Sequence, residues 1–184
     1  MKVHKENHLK NYSESLLEKY PEIKEKRRIC NIKDIVNDIT DYNDLVKINV
    51  SSKIKQQLRT EYKIYTYNQV AFTIRECKKG DSMKWHCDDA SIISHKSDLI
   101  NLYDNQIKIS EKKSLFYPNR IPKLTIIIYG STYKDDFDGG IFEFSDGYKV
   151  KPVKNMCLIF DSREAHCVHK IHSGIRKSIL IKYY

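Results

Sequence analysis

The sequence predicts a mainly β protein with helices in its N-terminal third. From residue 123 onward, short runs such as "KLTIIIYG", "MCLIFD" and "RKSILIKYY" are rich in β-branched and aromatic residues, which is typical of strands. Turn signals at 139–140, 146–147 and 173–174 separate several of these runs. Short strands at such close spacing are typical of a sandwich, a jelly roll or a barrel, and the pattern alone leaves these three open.

The first 62 residues are predicted to form helices that buttress the β part. Apolar residues recur there at helical spacing, with Tyr12, Leu16, Leu17 and Tyr20 in one stretch and Ile32, Ile35, Val36 and Ile39 in the next. Pro21 is expected to end the first stretch.

The β core is predicted to span residues 63–184 within a single domain of residues 1–184, because no Gly/Ser-rich or Pro-rich linker divides the chain. Its first run, "KIYTYNQVAFTIREC", suits paired strands. Residues 91–122 fit neither the helical nor the strand period. We interpret them as an insertion that serves as a lid or a substrate-binding segment.

Composition indicates a globular protein in a reducing compartment. Hydrophobic residues make up 40% of the chain, but no apolar stretch is long enough to span a bilayer. The start, "MKVHKENHLKNY", lacks the apolar region of a signal peptide, so a cytoplasmic location is expected. Five cysteines without a C-x-x-C pair favour thiols over a disulfide framework; they are Cys30, Cys77, Cys87, Cys157 and Cys167.

The chain is basic, with 33 Lys and Arg against 24 Asp and Glu and a net charge of +9. Such a surplus favours an acidic partner, either nucleic acid or an acidic protein. The alternative is an ordinary basic, soluble chain, and we favour it because no zinc finger or aromatic-interleaved basic repeat is present. Nucleic acid remains a candidate partner, and the oligomeric state is left open.

The stretch "KWHCDDAS" (84–91) places His86 and Asp88 two residues apart. This pair alone fits either a metal site or a polar turn. Downstream, "HCVHKIHSGIR" supplies three histidines and a later arginine. Two imidazoles and one carboxylate form the facial triad of non-heme Fe(II) oxygenases, and a guanidinium fork suits the far carboxylate of an oxo-acid.

Three segments, in this order, carry a family resemblance over roughly residues 64–184. They are "RECKKGDSMKWHCD", "LTIIIYGSTYKDDFDGGIFEF" and "VKPVKNMCLIFDSREAHCVHKIHSGIR". The chain resembles the 2-oxoglutarate- and Fe(II)-dependent dioxygenases, specifically the prolyl 4-hydroxylase-like group. The resemblance implies a double-stranded β-helix, or jelly roll, with helices on one side.

The resemblance also implies a site. His86, Asp88 and His166 would bind the metal, while Arg176 and Tyr129 would bind the distal carboxylate of 2-oxoglutarate. His166 is favoured over His169 and His172 because Arg176 follows it at the family's spacing. The implied cofactors are Fe(II), 2-oxoglutarate as co-substrate and O₂, with ascorbate as a further candidate.

The expected reaction is hydroxylation of a C–H bond, with a prolyl residue of an intracellular protein or peptide as the first candidate substrate. The alternatives are lysyl residues, a nucleic acid, or a jelly roll that binds without turnover. Cys77 and Met83 stand where these enzymes often carry tyrosines, and this departure leaves the substrate open.

Overall fold

The computed structural model describes residues 21–35, 39–47, 70–88 and 124–183. Within these ranges the helices are α1 (Glu22–Glu25), α2 (Ile32–Ile35) and α3 (Tyr42–Lys47). The strands are β1 (Arg28–Asn31), β2 (Val70–Cys77), β3 (Met83–His86), β4 (Leu124–Tyr129), β5 (Phe137–Gly139), β6 (Phe142–Phe144), β7 (Lys149–Val150), β8 (Met156–Asp161), β9 (His166–Val168), β10 (Ile171–Gly174) and β11 (Arg176–Tyr183). The predicted helix before Pro21 and the predicted insertion at 91–122 lie outside the described residues.

The strands form two main antiparallel sheets. The larger sheet has the order β1-β8-β4-β11-β2, and the smaller has the order β3-β9-β6-β7. A short β10-β5 pair stands beside them. Two antiparallel sheets preceded by helices match the predicted fold class, a mainly β jelly roll with N-terminal helices.

The two sheets enclose one apolar core. Alternation along β4 turns Ile127 and Tyr129 inward, where they meet side chains of the smaller sheet. The buried members of this core are Ile127, Tyr129, Phe142, Phe144, Val150, Leu158, Phe160 and Val168. The inner face of β4 therefore borders the space between the sheets, and polar side chains on that face lie inside the jelly roll.

The helices pack on the outer face of the larger sheet. Residues of α2 and α3 share a second core with the outward-facing residues of β4, β8 and β11. Its members are Ile32, Ile35, Ile39, Tyr42, Leu45, Leu124, Ile126, Ile128, Cys157, Ile159, Ile179 and Ile181. Gly130 permits this close approach, because a Cβ there would lie 2.3 Å from the Tyr42 ring. With both faces covered, β4 is buried at every position.

Two strands differ from the sequence-based expectation. Strand β1 lies within the part predicted to be helical, because Arg28–Asn31 pairs in register with β8 at the edge of the larger sheet. Strand β5 ends on Gly139, the first residue of a predicted turn signal, and it pairs with β10. Each of the five cysteines carries a thiol rather than a disulfide. None of the described helices has the length and apolar character needed to cross a membrane.

Candidate metal centre

Two histidines face each other across the smaller sheet. His86 at the end of β3 and His166 at the start of β9 are register partners, both are buried, and their ring centroids lie 4.3 Å apart. Asp88 follows β3, and its Oδ1 lies 3.7 Å from Nε2 of His86. One donor atom from each of these three residues lies within 4.8 Å of the other two. The structure thus brings the three predicted ligands together.

Backbone hydrogen bonds set the tautomer of both histidines. Nδ1 of His86 lies 2.8 Å from the carbonyl oxygen of Lys84, and Nδ1 of His166 lies 2.8 Å from the carbonyl oxygen of Glu164. A carbonyl oxygen only accepts, so each Nδ1 carries the proton and donates it. Each neutral ring is left with its Nε2 lone pair available to a metal, and its orientation is fixed from behind.

The protonation states of the three groups suit metal binding. Burial lowers the pKa of His166 to about 3 and also lowers the pKa of His86, so both rings are neutral at neutral pH. Burial opposes ionisation of Asp88. In the acid range where Asp88 titrates, protonated His166, Lys182 and protonated His86, with a hydrogen bond from Thr125, nevertheless hold the pKa of this carboxyl well below its usual range.

Asp88 is held by side chains from two strands of the larger sheet. Thr125 of β4 donates its hydroxyl proton to Oδ2 at 2.6 Å, and Lys182 of β11 donates to Oδ1 at 2.9 Å. Ser162 lies 3.0 Å from the Thr125 hydroxyl and donates to it in turn, because that hydroxyl has only one proton to give. Sequence reasoning missed Thr125 and Lys182. The sequence feature that could have identified them is a polar residue at an inward-facing position of a largely apolar strand.

Aromatic side chains fix the ring of His166. Phe142 stacks on it with centroids 4.9 Å apart and an interplanar angle of 15°, and Phe160 meets it edge-on at 4.8 Å. These rings exclude water from one side of the imidazole, consistent with the burial that depresses its pKa.

The loop that precedes His166 is attached to the segment between α1 and β1. Arg27 donates to the carboxylate of Glu164, and its Nη1 lies 2.9 Å from Oδ2 of Asp146. Its guanidinium also covers the Phe144 ring, with Cζ 3.8 Å from the centroid. Since Glu164 also supplies the carbonyl that orients His166, Arg27 holds the residue that positions this candidate ligand. Sequence reasoning did not identify it, because 137 residues separate Arg27 from Glu164.

Arg176 and Tyr129 form a second polar group inside the jelly roll. Arg176 is 4% exposed and Tyr129 is fully buried, and Cζ of the arginine lies 5.1 Å from the tyrosine ring centroid. The Tyr129 hydroxyl and the Nε and Nη2 atoms of Arg176 make no hydrogen bond to any described residue. Burial raises the pKa of Tyr129, although the charge of Arg176 opposes the shift. The phenol therefore keeps its proton and remains a donor.

These orphaned donors fit a carboxylate. An uncompensated guanidinium in a buried pocket is costly, and a carboxylate accepts from its planar fork in two parallel hydrogen bonds. The donor set of His86, Asp88 and His166 likewise fits Fe(II) with positions left open for further ligands. His169 and His172, the competing histidines, are exposed and do not belong to this ligand group.

A family model described as the 2OG-Fe(II) oxygenase superfamily matches residues 72–184. The chain belongs to the 2OG-Fe(II) oxygenase superfamily. The family expected from the sequence is thereby confirmed. The members of this superfamily use Fe(II), 2-oxoglutarate and O₂, which is the cofactor set expected for this chain. No curated protein matches the sequence.

Three solved structures resemble this chain to different degrees, and the first of them shares its fold. A prolyl 4-hydroxylase from Phytophthora capsici is 18% identical, with a TM-score of 0.53, and the match covers 76% of this chain and 42% of that one. A 2OG-Fe(II) oxygenase family oxidoreductase from Burkholderia pseudomallei is 14% identical over 77% of this chain and 55% of that one, with a TM-score of 0.48. A Pseudomonas putida prolyl-4-hydroxylase is 12% identical over 72% and 60%, with a TM-score of 0.45. The chain thus spans between 42% and 60% of the length of these three proteins.

Proposed function

We propose that this protein is a 2-oxoglutarate- and Fe(II)-dependent dioxygenase that hydroxylates a prolyl residue of an intracellular protein or peptide. The observation that carries the proposal is the buried Arg176 guanidinium, two of whose nitrogens bond to no described residue, inside the same jelly roll as the group of His86, Asp88 and His166. A jelly roll that bound only a metal would need no such cation, whereas an oxo-acid co-substrate carries a carboxylate that requires one.

Each residue has a separate task in this proposal. His86, Asp88 and His166 would hold Fe(II), which with 2-oxoglutarate supplies the oxygen chemistry that converts a C–H bond into C–OH. Arg176 and Tyr129 bind the distal carboxylate and so fix the orientation of the co-substrate. Thr125 binds Oδ2 of Asp88 at 2.6 Å, so the metal would coordinate through Oδ1, in competition with Lys182. Phe142 and Phe160 keep water from the face of His166.

The choice of a prolyl residue rests on two supports. The motifs around His86 and His166 resemble those of the prolyl 4-hydroxylase-like group, and the Phytophthora capsici protein that shares the fold is a prolyl 4-hydroxylase. Five cysteines present as thiols favour a reducing compartment and therefore an intracellular target.

A nucleic acid is the second candidate substrate, because the net charge of +9 favours an anionic partner. The two substrates differ in their dependence on salt. Turnover of a nucleic acid would fall steeply as ionic strength rises, whereas turnover of an uncharged proline-containing peptide would change little.

The direct test is mass spectrometry of proline-containing peptides after incubation with the protein, Fe(II), 2-oxoglutarate and O₂. We expect a mass gain of one oxygen atom on proline, together with release of succinate. Asp88→Ala and His166→Ala should abolish both products, whereas His172→Ala serves as the matched control because that histidine is exposed. Methylated single-stranded DNA in the same assay tests the second candidate.

Release of succinate without any peptide or nucleic acid would still support the oxygenase chemistry and would reject only the substrates tried. Absence of succinate release together with intact Mn(II) binding would instead indicate a jelly roll that binds without turnover. Full activity in Asp88→Ala would contradict the assignment of the metal site.

A further inference from the structure

A second group of potential metal ligands lies on the opposite face of the smaller sheet. Cys167 follows His166 on β9, so its side chain points to the other side of the sheet. Glu143 of β6 is its register partner, and His169 lies two residues beyond Cys167. One donor atom from each of Glu143, Cys167 and His169 lies within 4.8 Å of the other two. The proposed oxygenase reaction uses none of these three residues.

From this geometry we propose that Glu143, Cys167 and His169 form a binding site for Zn(II). A thiolate, an imidazole and a carboxylate are the three ligand types that Zn(II) uses in proteins, and three protein ligands leave a fourth tetrahedral position open. The sulfur distinguishes this site from the iron-type group on the other face, which offers only nitrogen and oxygen. Thiolate selects zinc and other soft metals over Mg²⁺ or Ca²⁺.

The observed distances are close to those that the ion requires. Sγ of Cys167 lies 4.0 Å from Nε2 of His169, and ligands of a tetrahedral Zn(II) with bonds of about 2.3 and 2.0 Å are about 3.5 Å apart. Oε2 of Glu143 lies 2.5 Å from the same nitrogen, so it must move outward by roughly 1 Å to reach ligand spacing. The His169 side chain is 48% exposed and has room for this adjustment.

Among the described residues, a lysine competes with the metal for Glu143. Nζ of Lys149, on β7, lies 3.9 Å from Oε2 of Glu143, and the lysine side chain is largely exposed. An exposed ammonium is screened by water and turns away at little cost. Lys149 therefore weakens Zn(II) binding without preventing it, and its removal should tighten binding about two- to fivefold, the range of an exposed charge pair.

Cobalt(II) spectroscopy separates this site from the iron-type site. Co(II) adopts zinc sites, and a cysteine ligand adds a sulfur-to-cobalt charge-transfer band that histidine and aspartate cannot produce. We expect this band in the wild-type protein and in Asp88→Ala, and we expect Zn(II) to abolish it. Retention of the band in Asp88→Ala makes the result independent of whether the proposed oxygenase function is correct.

Variants complete the test. Cys167→Ser should lose the band, and Cys30→Ser, which alters a thiol on β1 of the larger sheet, should keep it. Glu143→Gln and His169→Ala retain the sulfur and should weaken Co(II) binding by at least about tenfold. Because these two variants leave Cys167 in place, they test the proposed ligands even if Cys167→Ser fails to fold. A wild-type protein without the band, or a band that survives Cys167→Ser or disappears in Cys30→Ser, would overturn the proposal.

Discussion

Nζ of Lys182 lies 2.9 Å from Oδ1 of Asp88, the same oxygen that lies 3.7 Å from Nε2 of His86. An ammonium group thus binds the carboxylate oxygen that approaches the candidate ligand His86. It neutralises a buried carboxylate that would be costly to leave unpaired. It also repels any divalent ion that binds the same three residues.

Replacement of Lys182 is therefore expected to have opposite effects on metal affinity and on stability. Lys182→Met should tighten Mn(II) binding by up to about tenfold, equivalent to about 1.4 kcal/mol, because a competing cation is removed. The same change should lower the melting temperature of the metal-free protein, since Asp88 loses its partner. Isothermal titration calorimetry and thermal unfolding measure the two effects.

Lys177→Met on the same strand is the control, because Lys177 is part-exposed and lies 4.0 Å from the exposed Glu76. Mn(II) affinity that stays the same or weakens in Lys182→Met would show that this ammonium does not compete with the metal.

Removal of the Arg176 side chain should affect the co-substrate and spare the metal. Loss of one partner from a buried charge pair costs about 2 kcal/mol or more. We therefore expect Arg176→Ala to raise the concentration of 2-oxoglutarate needed for half-maximal succinate release about 30-fold or more. The 2-oxoglutarate requirement of Arg176→Lys should lie between those of the wild type and Arg176→Ala, because lysine offers a point charge instead of a planar fork. Mn(II) affinity should change little, and an unaltered 2-oxoglutarate requirement would place the carboxylate elsewhere.

The ion pair of Arg27 and Glu164 predicts a large loss of stability when only the arginine is replaced. Arg27 is 8% exposed and Glu164 is 1% exposed, so Arg27→Gln leaves a buried carboxylate without its partner and should cost about 3 kcal/mol in urea unfolding. Burial raises the pKa of Glu164 even with Arg27 beside it, which shows that its charge is costly. Glu164→Gln should therefore lower the free energy of unfolding by less than Arg27→Gln does. The double variant Arg27→Gln/Glu164→Gln should be more stable than Arg27→Gln alone.

Lys24 provides the control for this pair. It contacts the same Asp146 as Arg27, at 3.1 Å, but its side chain is 58% exposed. Lys24→Gln should cost less than about 1 kcal/mol. A similarly small cost for Arg27→Gln would remove the case for its positioning role.

Two glycines with positive φ are expected to differ in their tolerance of alanine. Gly139 has φ +77°, and a Cβ there would lie 2.2 Å from the carbonyl oxygen of Lys170. Gly147 has φ +87°, with nothing within 4 Å of the same added atom. Gly147→Ala should cost about 1 kcal/mol from backbone strain alone, and Gly139→Ala should cost at least about 2 kcal/mol more because the backbone must move. Equal losses in thermal unfolding would contradict this difference.

The sequence predicted the strands whose pattern is local. The apolar runs that became β4, β8 and β11 are identifiable without any knowledge of their neighbours, and His86 and Asp88 are two residues apart. By contrast, β1 is a strand only because it pairs with β8. Its four residues carry no alternating pattern of their own, and tertiary pairing overrode the helical periodicity around them.

The residues that hold the candidate metal ligands in place could not be predicted from the sequence, for a similar reason. Thr125 and Lys182 meet Asp88 across separations of 37 and 94 residues, so only the sheet order brings them together. Unbroken alternation along "HCVHKIH" would place His166 and His172 on one face, but the chain leaves β9 after Val168 and re-enters a strand at Ile171. That break ends the alternation and leaves His172 exposed.

The position of β1 has a consequence for aggregation. Its four residues cover the edge of β8, whose sequence "MCLIFD" is almost wholly apolar. If β1 were removed, the main-chain donors and acceptors of β8 would be exposed beside apolar side chains, and this combination promotes strand pairing between molecules. Among the described strands, the outermost one at this edge is short and begins with Arg28, two features that discourage such pairing. A segment that adds little to the core thus protects the protein from self-association through its sheet edge.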